Sequence, residues 1–459
     1  MLENQNRIII VDNVLEELEQ LGKSFFINGL GCRTFLYEQD YFEPLKNVRL
    51  AFFDVNLTQG TAEISNDDSI EEILEKNSKV FNDLAVAINQ YIAPDNGPFV
   101  LIFWTKNSIL VNAFKLYMQN PDRGFNDTTA KPIFIGYLDK VNSNEENTTL
   151  SERVINLLNS DEKIKVLFDF EENSRIAGEK TINRIYDILP KDQLWGENII
   201  LHNNIDAVFS KISASTLGFE HAKENPKKAL YEGLIPVLNY ELINQESSVD
   251  WKILLKSLMN ADNPKKLISP DPIIQNKVNS LFHIEDIVDQ NKDVRGCVVV
   301  IDKANSEILE TFNIGNIEEW TSKLIAIKDS NPAQQARKAE ILNKSKLIAI
   351  ELSAACDYSN KKPRINKYII GVLTENLSNN LEDDLILKSR PESCYHLGGC
   401  CFNFKDSNIH IWLNLNYVFG AKGNDVRFGN PIFILKKEIM DMLGNKYASH
   451  VSRIGITSF

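Results

Sequence analysis

A chain of 459 residues is too long for one small domain, and its length alone suggests about two to four. Hydrophobic residues make up 43% and charged residues 25%, a balance that excludes a disordered or fibrous chain. Lys+Arg 50 against Asp+Glu 63 leaves a net charge of −13, which argues against nucleic-acid binding through the overall field. No apolar stretch approaches the roughly 18 to 20 residues of a membrane span. The opening MLENQNRIII lacks the basic-then-apolar order of a signal peptide. Six cysteines, with Cys400 and Cys401 adjacent, do not read as a secreted disulfide framework. The expectation is a cytoplasmic protein with neither a membrane nor a nucleic acid as partner.

Taken in chain order, residues 7–11 (RIIIV) form a β-branched run suited to a strand buried on both faces, ending at Asp12-Asn13. Leu15, Leu18 and Leu21 follow at helical spacing. A weaker strand is predicted over 32–37 and a clear one over 48–53, ending at Asp54. Apolar positions from Ile70 to Ile88 predict one helix over 69–92. A buried strand over 99–104 ends at Thr105, and a helix over 108–119 precedes a strand over 132–138 that ends near Lys140. Strand alternating with helix predicts a doubly wound α/β domain with a parallel sheet. The polar run NSNEENTT at 142–149 reads as a linker. Mostly helical texture follows to about residue 290, with amphipathic stretches at 150–158, 180–189, 205–213 and 229–243. From about 291 the chain becomes strand-rich, with runs at 296–301, 347–352, 368–373, 401–404, 409–415 and 431–435 before a final amphipathic helix. The expected domains are 1–142, 150–290 and 291–459.

In a doubly wound sheet, ligands collect at the carboxyl ends of the strands. Asp12 and Asp54 at two such ends make a hard-oxygen site of the kind Mg²⁺ prefers. Thr105 and Lys140 add a hydroxyl and an ammonium able to hold phosphoryl oxygens. The set suits phosphorylation of a carboxylate, with Asp54 as nucleophile.

Residues 6–142 thereby resemble the response-regulator receiver domain, a flavodoxin-like fold. IIIVDN resembles its first strand with the acidic pair, LAFFDVNL the phosphoacceptor strand, LIFWTKN the Thr/Ser strand and IGYLDK the Lys strand. The resemblance implies catalytic roles for Asp54, Thr105 and Lys140 and a Mg²⁺ held by Asp12, Asp54 and Asn56. It also implies a histidine-kinase-type sensor as phosphodonor. Asn13 stands where the family carries its second acidic residue, and Val141 follows Lys140 where proline is usual. The whole layout resembles the long receiver-containing proteins of bacterial anti-phage phosphorelays of the Detocs type. There, one such protein carries the effector and another drains phosphate. An effector protein of the same operon and a homodimer are further expected partners. The draining role fits the absence of an effector motif.

The far end of the chain offers residues for two other chemistries. Cys394, His396, Cys400 and Cys401, with Cys356 and His410, are zinc-type ligands. They contain no CxxC pair, and buried Cys is an ordinary apolar residue, so zinc is not expected. Cys356-Asp357 with a distant His could serve a hydrolase or nuclease, but no base or oxyanion donor identifies itself. The final helix carries Lys436, Lys437, Lys446, His450 and Arg453, with Arg427 upstream, and reads as a solvated face. A receiver-like fold that only docks or dimerises, without phosphorylation, is the alternative from another class.

Overall fold

The computed structural model describes residues 7–27, 31–58, 60–64, 68–105, 108–123, 125, 128–139, 152–153, 156, 162–190, 199–247, 249–286, 291–301, 306–353, 365–375, 391–423 and 425–452. The chain divides into two compact units: 1–175 with 246–256, and 176–245 with 257–459. Among the described residues, no helix is long and apolar enough to cross a membrane.

The first unit is built on β1 (Ile8–Asp12), α1 (Leu15–Ile27), β2 (Arg33–Leu36), β3 (Leu50–Asp54), α2 (Ile70–Lys76), α3 (Ser78–Tyr91), β4 (Val100–Trp104), α4 (Ile109–Gln119) and β5 (Phe134–Leu138). Its five strands lie in the order β2-β1-β3-β4-β5, and every pairing is parallel. This is the parallel α/β sheet that the alternation predicts, in a flavodoxin-like order. Successive residues of each strand feed opposite faces. Ile10, Phe52 and Ile102 pack with Leu18, Leu21 and Phe25 of α1. Ile9, Phe53 and Phe103 pack with Phe81, Leu84 and Phe114 of α3 and α4. Both faces are therefore covered, and each buried Phe contributes about 1.5–3 kcal/mol.

The sequence predicts one helix over 69–92; the structure has two, broken at Asn77. Ser69 opens α2 with a capping box to Glu72. Asn77 is fully buried and turns its side chain on the backbone: Nδ2 donates to the Ile73 carbonyl and Oδ1 accepts from Ala62 N, both at 3.0 Å. A side chain so engaged competes with the helical ladder, and it also holds the loop that follows Asp54.

Between β2 and β3 the chain crosses without a helix. Rings cover the sheet there instead: Tyr41 stacks on Tyr91 with centroids 4.6 Å apart, and Phe35 meets Tyr91 edge-on at 5.1 Å. Leu45 makes an isolated parallel bridge to Ile92.

A long helix, α5 (Glu162–Ile188), follows. Phe168 packs against the α1 side of the sheet. Glu171 accepts from Arg7 Nη2 at 2.9 Å and Arg49 Nε at 2.7 Å, at the amino ends of β1 and β3. All three side chains keep some exposure, so this network contributes about 1 kcal/mol.

The second unit carries the rest of the helical middle as α6 (Ile199–Leu217), α7 (Phe219–Glu224), α8 (Pro226–Ile243) and, after short turns, α9 (Pro272–His283). Its sheet is formed by β6 (Ile284–Glu285), β7 (Cys297–Ile301), β8 (Ser345–Glu351), β9 (Asn366–Glu375), β10 (Cys394–His396), β11 (Phe402–Phe404), β12 (Ser407–Ala421) and β13 (Phe428–Leu435). The order is β10-β12-β9-β8-β7-β13-β6, with β11 paired to β12, and the pairings are antiparallel. Three helices that the sequence reading did not place, 306–311, 317–325 and 332–343, connect β7 to β8. Their Ile308, Leu324 and Ile341 cover one face of the sheet. The terminal helix (Lys437–Val451) covers the other with Ile439, Met440 and Leu443. It is thus a core helix on one side, while His450 Nε2 lies 2.8 Å from Asn416 Oδ1. Gly371 of β9 is required by close approach, since a Cβ there would lie 2.2 Å from the Trp412 carbonyl oxygen.

Candidate functional site

The parallel register delivers the candidate residues to one end of the first sheet. Val11 pairs with Phe53, so Asp12 and Asp54 are the next residues on adjacent strands; Asp54 in turn pairs with Trp104. Asp12 is 1% exposed and Asp54 4%. Carboxylates so buried are costly unless something compensates their charge. Thr105, one residue past β4, is also buried, and its backbone N–H donates to the Leu138 carbonyl at 3.0 Å.

A third carboxylate joins them. Asp12, Glu17 and Asp54 each offer an oxygen, and these atoms all lie within 4.8 Å of one another. Glu17 was missed by sequence reasoning because an acidic residue in the first turn of a helix is ordinary; it favours the helix dipole wherever it points. The available signal was its place: the turn of α1 beside Asp12, in a chain whose next residue is the uncharged Asn13. Three carboxylates at this spacing repel one another, and a divalent cation among them reverses the sign of the interaction. The all-oxygen donor set fits a hard ion such as Mg²⁺.

Local hydrogen bonds hold the site. Val14 N donates to Asp12 Oδ1 at 2.8 Å, an Asx turn that starts α1. Asn13 Nδ2 donates to the Asn56 carbonyl at 2.9 Å, tying the loop after β1 to the loop after β3. Asn56 Oδ1 accepts from Thr61 N at 3.0 Å, and Thr58 Oγ1 donates to Asp83 Oδ2 of α3 at 2.7 Å. Asn13 is therefore more than a missing charge, since its amide bonds to the backbone of Asn56, a residue that the receiver resemblance assigns to the metal. Of the expected set, Asp12, Asp54, Asn56 and Thr105 are gathered at these strand ends. Lys140 lies outside the described residues.

The Cys/His group of the second unit is organised differently. His396 and His410 are buried and meet each other, Nε2 to Nδ1 at 3.2 Å, the distance of a hydrogen bond. His396 also stacks on Trp412 with centroids 4.0 Å apart. Burial pushes the thiols of Cys401 and Cys400 up to about 12 and about 11, which keeps them protonated and unreactive at neutral pH. Cys356 and Asp357 lie outside the described residues. Among the described residues, the cluster whose ligand atoms converge is Asp12, Glu17 and Asp54.

No protein-family model matches this chain, and neither a curated protein nor a solved structure does.

Proposed function

We propose that the first unit is a phosphoacceptor module in which Asp54 receives a phosphoryl group from a phosphohistidine on a partner kinase. The observation that carries this reading is the convergence of three carboxylate oxygens at the carboxyl end of a β2-β1-β3-β4-β5 parallel sheet, with a buried threonine on the next strand. An oxygen of Asp54 attacks phosphorus, a P–O bond forms and the P–N bond breaks. The electron pair stays on the imidazole nitrogen, which takes a proton from water.

Asp12 and Glu17, with Asp54, would hold Mg²⁺, which supplies charge shielding for the incoming phosphate. Asp12 also fixes the start of α1, so that Glu17 presents its carboxylate to the same point. Thr105, just past β4, would donate its hydroxyl to the product's phosphoryl oxygens, with Lys140 the expected cation from the next strand end. The finer role in this reading is that of a phosphate-draining partner in a bacterial defence phosphorelay. It requires an aspartyl phosphate that hydrolyses quickly.

Intact mass after incubation with Mg²⁺ and acetyl phosphate tests the proposal. Wild type is expected to gain about 80 Da, one phosphoryl group, and Asp54→Asn to gain nothing. No gain in wild type and no inorganic phosphate released above the Asp54→Asn control, repeated with a histidine kinase from the same operon, would leave a docking module in place of a phosphoacceptor. Asn13, bonded to the Asn56 carbonyl, is the observation on that side.

A further inference from the structure

The first unit has a second concavity, far from the acidic cluster along the strands. It opens between α4 and the beginnings of β4 and β5, has a volume of about 360 Å³, and is walled by Leu101, Phe114, Met118 and Ile135. Leu101 sits three residues before Trp104, so about 10 Å of strand separates this wall from the row that holds Asp54. The volume falls at the small end of the range for ligand sites, and the lining is mainly apolar, as such sites are.

Four polar side chains interrupt that lining: Thr129, Lys115, Lys131 and Gln119. Thr129 is 7% exposed, and its Oγ1 has no hydrogen-bond partner among the described residues. Its backbone N–H is satisfied by the Phe125 carbonyl at 3.1 Å, so the hydroxyl alone is left over. A buried hydroxyl without a partner costs about 1–3 kcal/mol, and a site that retains one is suited to an acceptor from outside. Lys115 and Lys131 also line the concavity, and neither has a carboxylate partner among the described residues. Apolar walls, one hydroxyl donor, the Gln119 amide and two ammonium groups suit one ligand chemistry: an apolar body ending in an anionic acceptor.

We infer that this concavity binds a medium-chain monocarboxylate, its tail against Leu101, Phe114 and Met118 and its carboxylate served by Thr129 with Lys115 and Lys131. The site is independent of the phosphoacceptor reading, since it shares no residue with the acidic cluster.

Calorimetric titration of the full chain with sodium decanoate, below its micelle concentration, tests the inference. Decanoate is expected to bind, and decyltrimethylammonium, with the same tail and the opposite charge, is not. Thr129→Val keeps the shape and removes the hydroxyl. It is expected to weaken decanoate about tenfold while leaving the thermal stability of the ligand-free protein equal or higher, because the unsatisfied group is gone. Lys115→Glu with Lys131→Glu is expected to abolish binding, as is Ile135→Trp, which fills the space. Should Ile135→Trp fail to fold, the Thr129→Val pair of readings still decides. Equal binding of the two tail-matched amphiphiles, unchanged decanoate affinity in Thr129→Val, or no decanoate binding by wild type would each overturn the assignment.

Discussion

Asp12→Asn is expected to weaken divalent-cation binding by about 100-fold, and Glu17→Gln by about 10-fold or more, with the fold intact in both. Each change removes one negative charge from a group of three within 4.8 Å. At such distances one unit charge is worth about 4 kcal/mol at an effective dielectric of 20, before the cost of rearranged hydration is subtracted. Asp12 carries the larger effect because it is the more buried and because its Oδ1 also sets the turn into α1. Glu17 is partly exposed, so water screens it more. Mn²⁺ binding followed by electron paramagnetic resonance reads the affinity directly, without any phosphodonor. A Glu17→Gln protein that binds Mn²⁺ as tightly as wild type would remove Glu17 from the site and return the reading to two carboxylates. The same measurement on Asn13→Ala bears on the Asn56 carbonyl. Freed of its amide donor, that oxygen becomes available to the ion, and affinity is expected to rise.

Acid is expected to loosen the second unit well before it protonates ordinary surface carboxylates. Burial pushes the His410 imidazole down from its usual 6.5 to about 4. In the unfolded chain the same ring takes its proton near pH 6.5. The unfolded state therefore binds more protons between those values, and stability falls as pH falls. The contribution is fully present above about pH 6.5, declines through pH 5, and is lost by about pH 4, for a total of about 3 kcal/mol. Among the described residues, the neighbours offer no carboxylate: His396 is hydrogen-bonded to His410, Trp412 lies against His396, and Thr374 is the strand partner of His410. Hydrogen exchange of the β12 peptide 407–421 in a urea series, corrected for intrinsic rates, is the measurement. A midpoint that does not move between pH 7 and pH 4.5 would falsify this account of the pair. His410→Gln, which cannot take up the proton, is expected to flatten the pH dependence.

How much of this was legible in the sequence follows from how each feature is encoded. Runs such as 99–104 (FVLIFW) can be little else than strands buried on both faces, and the row Asp12, Asp54, Thr105 follows because strand ends in a parallel sheet fall together. The break at Asn77 was illegible because the apolar period runs through it; what stops the helix is one side chain reaching Ile73 and Ala62, a contact with no periodicity. Glu17 was illegible for a related reason, since its chemistry lies in where α1 starts relative to β3. In the second unit, β10 has only three residues, too few to show an alternation, yet it carries His396 to His410. Between β7 and β8, helix 332–343 was hidden by weak amphipathicity in a polar stretch and 306–311 and 317–325 by their shortness, although Asn316 and Asn331 both cap helix starts there.

The ring cluster between β2 and β3 has a consequence for how the first unit would fail. A helix laid on a sheet holds itself together by its own ladder of backbone bonds, so losing one side chain costs a fraction of its grip. The segment from Tyr37 to Val48 has no such ladder; at its middle Tyr41 stacks on Tyr91 and Leu45 bridges to Ile92, while Gln90 holds the Gln39 carbonyl and Asn96 holds Val48 at the far end. Tyr91 also meets Phe35 and precedes Ile92 in the chain. Replacing Tyr91 by alanine would loosen the crossing around Tyr41 while its far end stays held at Val48, and the loosened stretch would become the first place a protease cuts.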